Sequence, residues 1–440
     1  MKRSTSGASG SRYPNAGEAF LGVVRHLLTD GAHVPAVNTG SDSARRSGTY
    51  ERIAHGVYLD NPIDRIVSTG FSKLNLPVAA ARFVWMMSAS NRLADIAFYE
   101  PKVKGFTDDG VIVPGSSYGL RILQAAPGID QLAGAIARLR EDSSTRRAAI
   151  SIYQPTDTIR SSKDIPCAFG LMYHIRGGAL HATTIMRSNN AVGLLPFNLF
   201  EFSMLAEVVA REAGVTPGPL FHFAGSMHLY ESDKERVSSA IRDAEQMHAP
   251  VMVPMPANPS PMAQIRELIK LEAEFRHGSA AIGNTTISEW IARTEGILHP
   301  YWQQLALLLL AAICSKNEAV DAHKRVRSKL EPYFAEHLPT ISSSSAQAPA
   351  LAPELIMNDL FKPNTPSEAV QPLTRTRLND QIIAFSVAYE KKKGRPIGAA
   401  ALFDVQRQFW DRLAARGAND TLTEDEFIAA LERRLTLPGA

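Results

Sequence analysis

The stretch of residues 169–213 constrains the fold of this chain more than any other. Two runs with strand composition, residues 169–175 and 179–186, flank Arg176-Gly177-Gly178. Two apolar runs joined by a short glycine-rich segment predict a β-hairpin. The apolar residues 200–213 then predict a long helix. Strands and a helix therefore follow one another in this part of the chain.

The same part of the chain concentrates side chains that can act on a nucleotide. They occur in four short motifs: Ile165-Pro166-Cys167, Arg187-Ser188-Asn189-Asn190, Pro196-Phe197-Asn198 and His228-Leu229-Tyr230. A lone cysteine is usually a small buried residue, so Cys167 gains significance from its companions. Residues two apart on a strand face the same way, so His228 and Tyr230 can both point into one cleft. Together these groups can attack a pyrimidine ring and hold it in place.

Composition limits the classes of protein to which the chain can belong. Its 440 residues, 45% of them apolar, can bury a full core in two or three parts. With 47 basic and 44 acidic residues the net charge is +3, which indicates neither a nucleic-acid-binding nor a membrane-binding surface. The two cysteines, Cys167 and Cys314, argue against a disulfide scaffold and fit a reducing, cytoplasmic compartment. The apolar run 305–314 is shorter than the roughly 20 residues of a membrane span and predicts a buried helix.

Composition shifts along the chain predict five parts. Residues 1–18 are expected to be a disordered lead, 19–237 the main folded domain, 238–338 a helical extension, 339–370 a linker and 371–440 a small helical unit. Within them we expect helices at 19–30, 130–140 and 262–337, and a strand at 148–153. No Cys or His set has zinc spacing, so no metal site is predicted.

The motifs resemble those of the thymidylate synthase family, which includes the pyrimidine-nucleotide hydroxymethylases. Their order and spacing match over roughly half of the chain. The resemblance implies an α/β fold with a twisted mixed sheet and flanking helices, to which this chain adds a helical C-terminal extension. It also implies 5,10-methylenetetrahydrofolate as the cofactor and a homodimer with shared active sites.

The resemblance assigns a role to each motif. Cys167 matches the nucleophile, and Tyr118 matches a tyrosine that relays a proton. The side chains expected to bind the nucleotide are Arg46, Arg146, Arg147, Arg187 and Ser188 at the phosphate, Asn198 at the base, and His228 and Tyr230 at the sugar. Arg45 is the alternative to Arg46, and the pair 146–147 is expected to reach the phosphate of the other subunit. Asn190 and Trp85 match positions at the folate site.

The chemistry of the residues agrees with these roles. A thiolate that adds to C6 of uracil makes C5 a nucleophile toward a one-carbon unit, and a nearby cation such as Arg187 would lower the pKa of the Cys167 thiol. An amide can pair with both O4 and N3–H of uracil, whereas a carboxylate suits cytosine. Asn198 therefore favours dUMP or UMP. As a favoured helix N-cap, Asn198 can also begin the helix that follows it.

Departures from the family pattern cluster on the folate and proton-transfer side. Arg82 stands where the family has Glu, Ala168 where His is usual, Asn190 where an Asp contacts folate, and Leu194 where a Gly leaves space. Two hypotheses follow. The protein is either an enzyme that makes a 5-methyl or 5-hydroxymethyl nucleotide, or an altered, inactive nucleotide-binding protein with a regulatory role.

Overall fold

A computed structural model describes residues 10–35, 48–70, 72–242, 244, 251–281, 283–338, 385, 389, 405, 409 and 424–435. The chain divides into two compact units, 1–153 with 164–362, and 154–163 with 363–440. The sheet, the helices that cover it and the site all lie in the first unit. In the second unit, one helix spans Glu424–Leu435 and buries Phe427 and Leu431.

A mixed β-sheet organises the first unit. Its strands are β1 (Gly10–Tyr13), β2 (Ala32–Val34), β3 (Thr49–Leu59), β4 (Ala149–Ser151), β5 (Ala168–Arg176), β6 (Ala179–Asn190) and β7 (Thr216–Tyr230). Their order is β1-β3-β7-β6-β5-β4, with β2 also paired to β3. The β1–β3 and β6–β7 pairs are parallel and the others antiparallel. The predicted mixed sheet is therefore confirmed.

The predicted hairpin is formed by β5 and β6. Arg176 pairs with Ala179, and both glycines of the turn have positive φ, 59° at Gly177 and 77° at Gly178. Two left-handed residues give a turn whose twist matches that of the flanking strands. At the other end of β5 the pairing is irregular between Ala168 and Gly170, a bulge of the kind that redirects side chains near functional sites.

Helices account for most of the remaining described residues. In the first unit they are α1 (Ala16–Asp30), α2 (Leu76–Met87), α3 (Leu93–Ala97), α4 (Tyr118–Leu123), α5 (Gln131–Glu141), α6 (Leu195–Glu212), α7 (Lys234–Ile241), α8 (Pro261–Gly278), α9 (Asn284–Ile297), α10 (Pro300–Lys316), α11 (Val320–Arg327) and α12 (Pro332–Ala335). The expected helices at 19–30, 130–140 and 262–337 are confirmed as α1, α5 and α8 to α12. Asp130 caps α5 by accepting a hydrogen bond from the Ala133 N–H.

Three sequence-based boundaries need correction. The expected disordered lead, 1–18, is too long, because Gly10–Tyr13 pairs with β3 and α1 begins at Ala16. The strand expected at 148–153 is shorter and spans Ala149–Ser151. The helix expected at 200–213 begins earlier, at Leu195, because Pro196 fits the first turn of a helix.

The helical extension shares its core with the sheet domain. α1 and α6 pack on one face of the sheet, and α10 packs on α2 and α8. Two glutamates of α6 join the extension to the sheet domain: Glu207 accepts from the Met255 N–H at 2.7 Å, and Glu212 accepts from the Met262 N–H at 3.0 Å. The predicted burial of 305–314 is confirmed, since these residues lie inside α10 and are mostly buried.

Candidate active site

The Cys167 thiol lies at the start of β5, beside the guanidinium of Arg187. Three hydrogen bonds fix Arg187 against the segment that carries the thiol: its backbone N–H donates to the Cys167 carbonyl (2.8 Å), Nε to the Pro166 carbonyl (2.8 Å) and Nη2 to the Ile165 carbonyl (2.9 Å). Nη2 then lies 3.8 Å from the Cys167 Sγ. The geometry thus brings the predicted nucleophile and cation together.

Burial and charge act in opposite directions on the Cys167 thiol. Burial raises its pKa and the Arg187 guanidinium lowers it, while the Asp164 carboxylate raises it further. Burial is the largest of these effects, so the pKa lies above its ordinary value. The free protein therefore holds this cysteine as the thiol, and Arg187 is the group that favours ionisation.

Asp164 connects the cysteine segment to the loop that precedes Tyr118. Its carboxylate accepts hydrogen bonds from the Gly115 N–H (2.7 Å), the Ser116 N–H (2.6 Å) and the Ser116 hydroxyl (2.6 Å). A Cβ on Gly115 would lie 2.2 Å from the Asp164 carbonyl oxygen, so only glycine allows this approach. Nothing in the sequence marks Asp164 beyond its place three residues before Cys167.

Tyr118 is the first residue of α4 and its side chain is buried. Burial is the largest effect that raises the pKa of its phenol well above the usual value, and the neighbouring Cys167 and Asp164 side chains add to it, while Arg82 opposes it. The phenol therefore keeps its proton and can donate it. α4 is held close to α2 because Gly119 has no side chain: a Cβ there would lie 1.7 Å from the Met86 carbonyl oxygen.

The base-reading and sugar-binding candidates lie on adjoining elements. The Asn198 backbone N–H donates to the Leu194 carbonyl (2.9 Å), so Asn198 lies inside the first turn of α6 and is not its N-cap. In the sheet, the Ser188 Oγ lies 3.4 Å from the His228 Nδ1. The rings of His228 and Tyr230 are 5.3 Å apart, as expected for side chains on one face of β7. Burial lowers the pKa of His228, which favours a neutral imidazole.

A series of buried polar side chains that the sequence did not reveal leads to Asn198. Its Oδ1 accepts from the Asn189 Nδ2 at 3.0 Å, and the Asn189 Oδ1 lies 2.7 Å from the His222 Nε2. The other ring nitrogen of His222 lies 2.6 Å from the Thr184 Oγ1. A lone histidine in an apolar strand carries no signal of this kind in the sequence.

The paired arginines lie far from the thiol of the same chain. Arg146 and Arg147 are exposed in the loop before β4, and Arg146 lines an open pocket with Arg176 and Gly177 at the hairpin turn. Cys167 lies just before the first residue of β5, at the end of that strand remote from the hairpin turn. The nine residues of β5 span roughly 30 Å. The structure therefore does not bring these arginines to the thiol within one chain. Arg46 lies outside the described residues.

Arg82, where the family has Glu, is held by two carboxylates. Its Nη1 donates to Glu100 at 3.0 Å, and its Nε donates to Glu201. The guanidinium also lies over the Phe197 ring, 5.3 Å from its centre. The side chains of Arg82, Glu100 and Glu201 are 15%, 14% and 4% exposed. The cation at this position is thus a half-buried group that two carboxylates hold in place. Glu201 follows Asn198 by three residues, a spacing that puts both on one helix face.

The two folate-side candidates have different surroundings. The Asn190 Oδ1 accepts hydrogen bonds from the Val192 and Gly193 N–H groups, both at 3.0 Å. Its carboxamide oxygen is thereby used within its own turn. Trp85, on α2, is 8% exposed, and its indole N–H is buried with no hydrogen-bond partner in the described part of the chain.

Comparison with known proteins decides the family. The thymidylate synthase family model matches residues 23–268, more than half of the chain. The chain belongs to the thymidylate synthase family. The resemblance seen in the sequence is thereby confirmed, and the mixed sheet with flanking helices and a helical extension is the fold that it implied.

Individual relatives of the thymidylate synthase family are similar at modest identity. A protein of Methanosarcina acetivorans provisionally named thymidylate synthase is 34% identical over 127 residues, 29% of this chain and 58% of that protein. The deoxyuridylate hydroxymethyltransferase of Pseudomonas phage M6 is 31% identical over 185 residues, 41% of this chain and 52% of that protein. The chain thus spans between about half and two thirds of the length of these relatives.

Thermostable thymidylate synthase A from Bacillus subtilis is similar in structure, with a TM-score of 0.45 and 19% identity over 52% of this chain and 85% of that one. Within the described residues, no helix combines the length and apolarity needed to cross a membrane. The same residues contain no cluster of three or more His, Cys, Asp or Glu side chains that could hold a metal ion.

Proposed function

We propose that this protein transfers a one-carbon unit to C5 of a uracil nucleotide, dUMP or UMP, to give a 5-methyl or 5-hydroxymethyl product. The observation that carries the proposal is the position of the Arg187 Nη2, 3.8 Å from the Cys167 Sγ. A guanidinium at that distance favours the thiolate that adds to the ring. The neighbouring Ser188 and His228 supply hydroxyl and imidazole groups for the phosphate and sugar.

In this mechanism the Cys167 thiolate adds to C6 of the ring, and the electron pair of the C5=C6 bond moves toward C5 and the O4 oxygen. Asn198 stabilises the charge that develops on O4 by donating a hydrogen bond. Once C5 carries the new carbon, its proton must leave so that an exocyclic methylene can form. Water adding to that methylene gives the hydroxymethyl product, and a hydride, which the bound folate would supply, gives the methyl product, before the thiolate is expelled and the double bond restored. The Tyr118 phenol is neutral because of its burial, so it cannot take that proton as a base. It can act only as a relay, which gives its own proton to water as it receives the one from C5.

Bound 5,10-methylenetetrahydrofolate would supply the one-carbon unit. The buried Trp85 indole N–H can donate to such a cofactor. Asn190 has no free acceptor to offer such a cofactor, because its oxygen already accepts two backbone hydrogen bonds. These residues fit a folate, with one acceptor fewer than an Asp would provide. We therefore propose a folate site of reduced affinity.

We also propose a homodimer in which Arg146 and Arg147 bind the phosphate at the partner's site. Their distance from the thiol of their own chain supports this arrangement. The sheet face opposite α1 and α6 offers a surface for the contact: the paired residues Tyr58, Phe221, Thr183 and Met172 form one row across it, and all four are half-buried in the single chain. Apolar side chains on such a face are typical of an obligate interface.

The phage relatives favour hydroxymethyl transfer, since they are named deoxyuridylate hydroxymethyltransferases. A second candidate function is nucleotide binding without turnover, in a regulatory role. The observation that favours it is the Arg82 cluster, because a cation paired with Glu100 and Glu201 replaces the family's acid–base Glu.

Tritium release from [5-³H]dUMP and [5-³H]UMP, with and without methylenetetrahydrofolate, separates the two candidates. The transferase replaces the C5 hydrogen, so we expect cofactor-dependent release and a 5-substituted product identified by mass spectrometry. Nucleotide binding without release, under conditions where the Cys167 thiol is intact, would favour the regulatory function.

A further inference from the structure

Four buried polar side chains form a continuous hydrogen-bonded chain that ends at Asn198. It runs from the Thr184 Oγ1 to the His222 Nδ1 (2.6 Å), from the His222 Nε2 to the Asn189 Oδ1 (2.7 Å), and from the Asn189 Nδ2 to the Asn198 Oδ1 (3.0 Å). Thr184, Asn189 and Asn198 are each 2% exposed, and His222 is fully buried. Water therefore does not compete for these hydrogen bonds.

The direction of each hydrogen bond follows from the one beside it. Asn189 donates its amide to Asn198, so its oxygen faces His222 and the His222 Nε2 must carry the proton. Burial lowers the pKa of His222 to about 4, so the ring is neutral and its Nδ1 is an acceptor. The Thr184 hydroxyl then donates to Nδ1. Bonds aligned head to tail in a buried chain reinforce one another, and reversing the direction requires all members to turn together.

This direction decides what Asn198 can present to a nucleotide. Its Oδ1 accepts from Asn189, which leaves the Nδ2 hydrogens as the group to offer toward position 4 of the ring. A donor there matches the carbonyl oxygen of uracil and opposes the amino group of cytosine. If every hydrogen bond of this series ran in the opposite direction, Asn198 would donate to Asn189. Its oxygen would then face the pyrimidine ring, which suits cytosine.

We propose that Thr184, His222 and Asn189 are positioning residues that fix the orientation of the Asn198 amide and so make the site prefer a uracil over a cytosine nucleotide. The proposal rests on the proposed function, because it assumes that Asn198 reads the base. It assigns the protein's preference for uracil over cytosine to side chains that are not expected to contact the nucleotide.

The test is the ratio of the dissociation constants for dCMP and dUMP, measured by calorimetry on the full chain. A ratio does not depend on the fraction of active protein, so partial misfolding of a variant does not change it. Thr184→Val removes the hydroxyl that sets the direction while keeping the side chain's shape. We expect the preference for dUMP to fall about tenfold, the effect of roughly one hydrogen bond.

Three further variants complete the experiment. Thr184→Ser keeps the hydroxyl and should restore the wild-type ratio. Asn189→Asp replaces the amide with a group that only accepts, so Asn198 must donate to it, and the preference should shift toward dCMP. Ser203→Ala removes a buried hydroxyl of α6 that bonds only to the Phe200 carbonyl among the described contacts, and should leave the ratio unchanged.

Equal losses of dUMP and dCMP affinity in Thr184→Val and Asn189→Asp would overturn the proposal, since a purely structural role changes both alike. Tritium release by the wild-type protein, together with an unchanged ratio of dCMP to dUMP dissociation constants in these variants, would refute the positioning role of Thr184, His222 and Asn189 alone. A wild-type protein that binds neither nucleotide would refute both this positioning role and the proposed function.

Discussion

The nucleotide side and the proton-transfer side of the site are built in different ways. On the nucleotide side, Arg187 is held by backbone carbonyls and its guanidinium still lies beside the Cys167 sulfur. On the other side, Arg82 is held by two carboxylates, Glu100 and Glu201. One arginine is fixed by neutral groups and keeps its charge for a ligand. The charge of the other arginine is neutralised by two protein carboxylates, so its main role is to stabilise the fold.

This difference shows how an arginine can occupy position 82, where the family resemblance predicts a Glu, while the packing around it is kept. A cation at position 82 would be costly to bury alone, but two glutamates surround it. Arg187 needs no such compensation, because its guanidinium donates to neutral backbone carbonyls and no carboxylate is paired with it among the described contacts. The variants that follow test whether the two sides differ in function as they do in construction.

The largest effect is expected on the nucleotide side, from Cys167→Ser. A serine hydroxyl is a far weaker nucleophile than a thiolate, so cofactor-dependent tritium release should fall by roughly a thousandfold or more. The dissociation constant for dUMP should change little, because the oxygen keeps the shape of the pocket. Cys314→Ser is the control, since Cys314 is buried in α10 and should leave the rate unchanged. Similar rates in the two variants would contradict the assignment.

On the proton-transfer side, Arg82→Met should reduce stability. It leaves two poorly solvated carboxylates without their counter-charge, and we expect the free energy of unfolding to fall by about 3–5 kcal/mol in urea denaturation. Adding Glu201→Gln to Arg82→Met should recover part of that loss. An Arg187→Met variant should be much less destabilising, because the Arg187 guanidinium is bound to neutral carbonyls. Equal losses in the two arginine variants would remove the distinction between the sides.

A moderate effect is expected from Arg187→Gln on the reactivity of Cys167. Burial already raises the thiol pKa and Arg187 opposes the rise, so losing the cation should raise the pKa further. The alkylation rate by iodoacetamide grows as pH rises toward the pKa, so its profile should move to higher pH. At neutral pH the rate should fall about tenfold each time the pKa rises by one. Arg187→Lys keeps the charge and should move the profile less.

The Cys314 thiol is an internal reference in that experiment, because burial raises its pKa to about 12. Mass spectrometry of the two cysteine peptides should show alkylation at Cys167 only. If the pH profile of Cys167 alkylation were the same in the wild-type protein, Arg187→Lys and Arg187→Gln, the guanidinium would have no effect on the pKa of the thiol.

The smallest effect is expected from Asn190→Asp on the folate side. One carboxylate oxygen can accept the two backbone N–H groups as the amide oxygen does now, and the other becomes an acceptor for the cofactor. We expect affinity for tetrahydrofolate in the presence of dUMP to rise by roughly three- to tenfold. The dUMP affinity measured alone should stay constant. A fall in folate affinity would show that the Asn190 amide is itself the cofactor's partner.

Features encoded in neighbouring residues could be predicted from the sequence. The β5–β6 hairpin follows from its two glycines, and α5 from Asp130 and the apolar spacing behind it. The N-cap preference of Asn198 predicts a later start for α6 than the structure shows, because Pro196, which is favoured in a first helical turn, lies inside the helix. Local preferences compete, and only the packed helix shows which one prevails.

Contacts between residues distant in the chain could not be predicted. Arg82 and Glu201 are 119 residues apart, and Asn189 and His222 are 33 apart. Nothing in the spacing of single charged or polar residues indicates such partners, and each alone is more typical of an ordinary core or surface position. The family resemblance predicts the nucleotide side from its motifs. It offered no guidance where this chain departs from the pattern.

The central claim is that the Cys167 sulfur attacks C6 of a uracil nucleotide, and 5-fluoro-dUMP tests it most directly. Fluorine at C5 cannot leave as a proton does, so the covalent adduct persists and is visible in the intact protein mass. With methylenetetrahydrofolate present, we predict a mass gain of one nucleotide plus one cofactor, mapped to the peptide that contains Cys167 and absent in Cys167→Ser. Saturating nucleotide binding with no mass gain would contradict the claim.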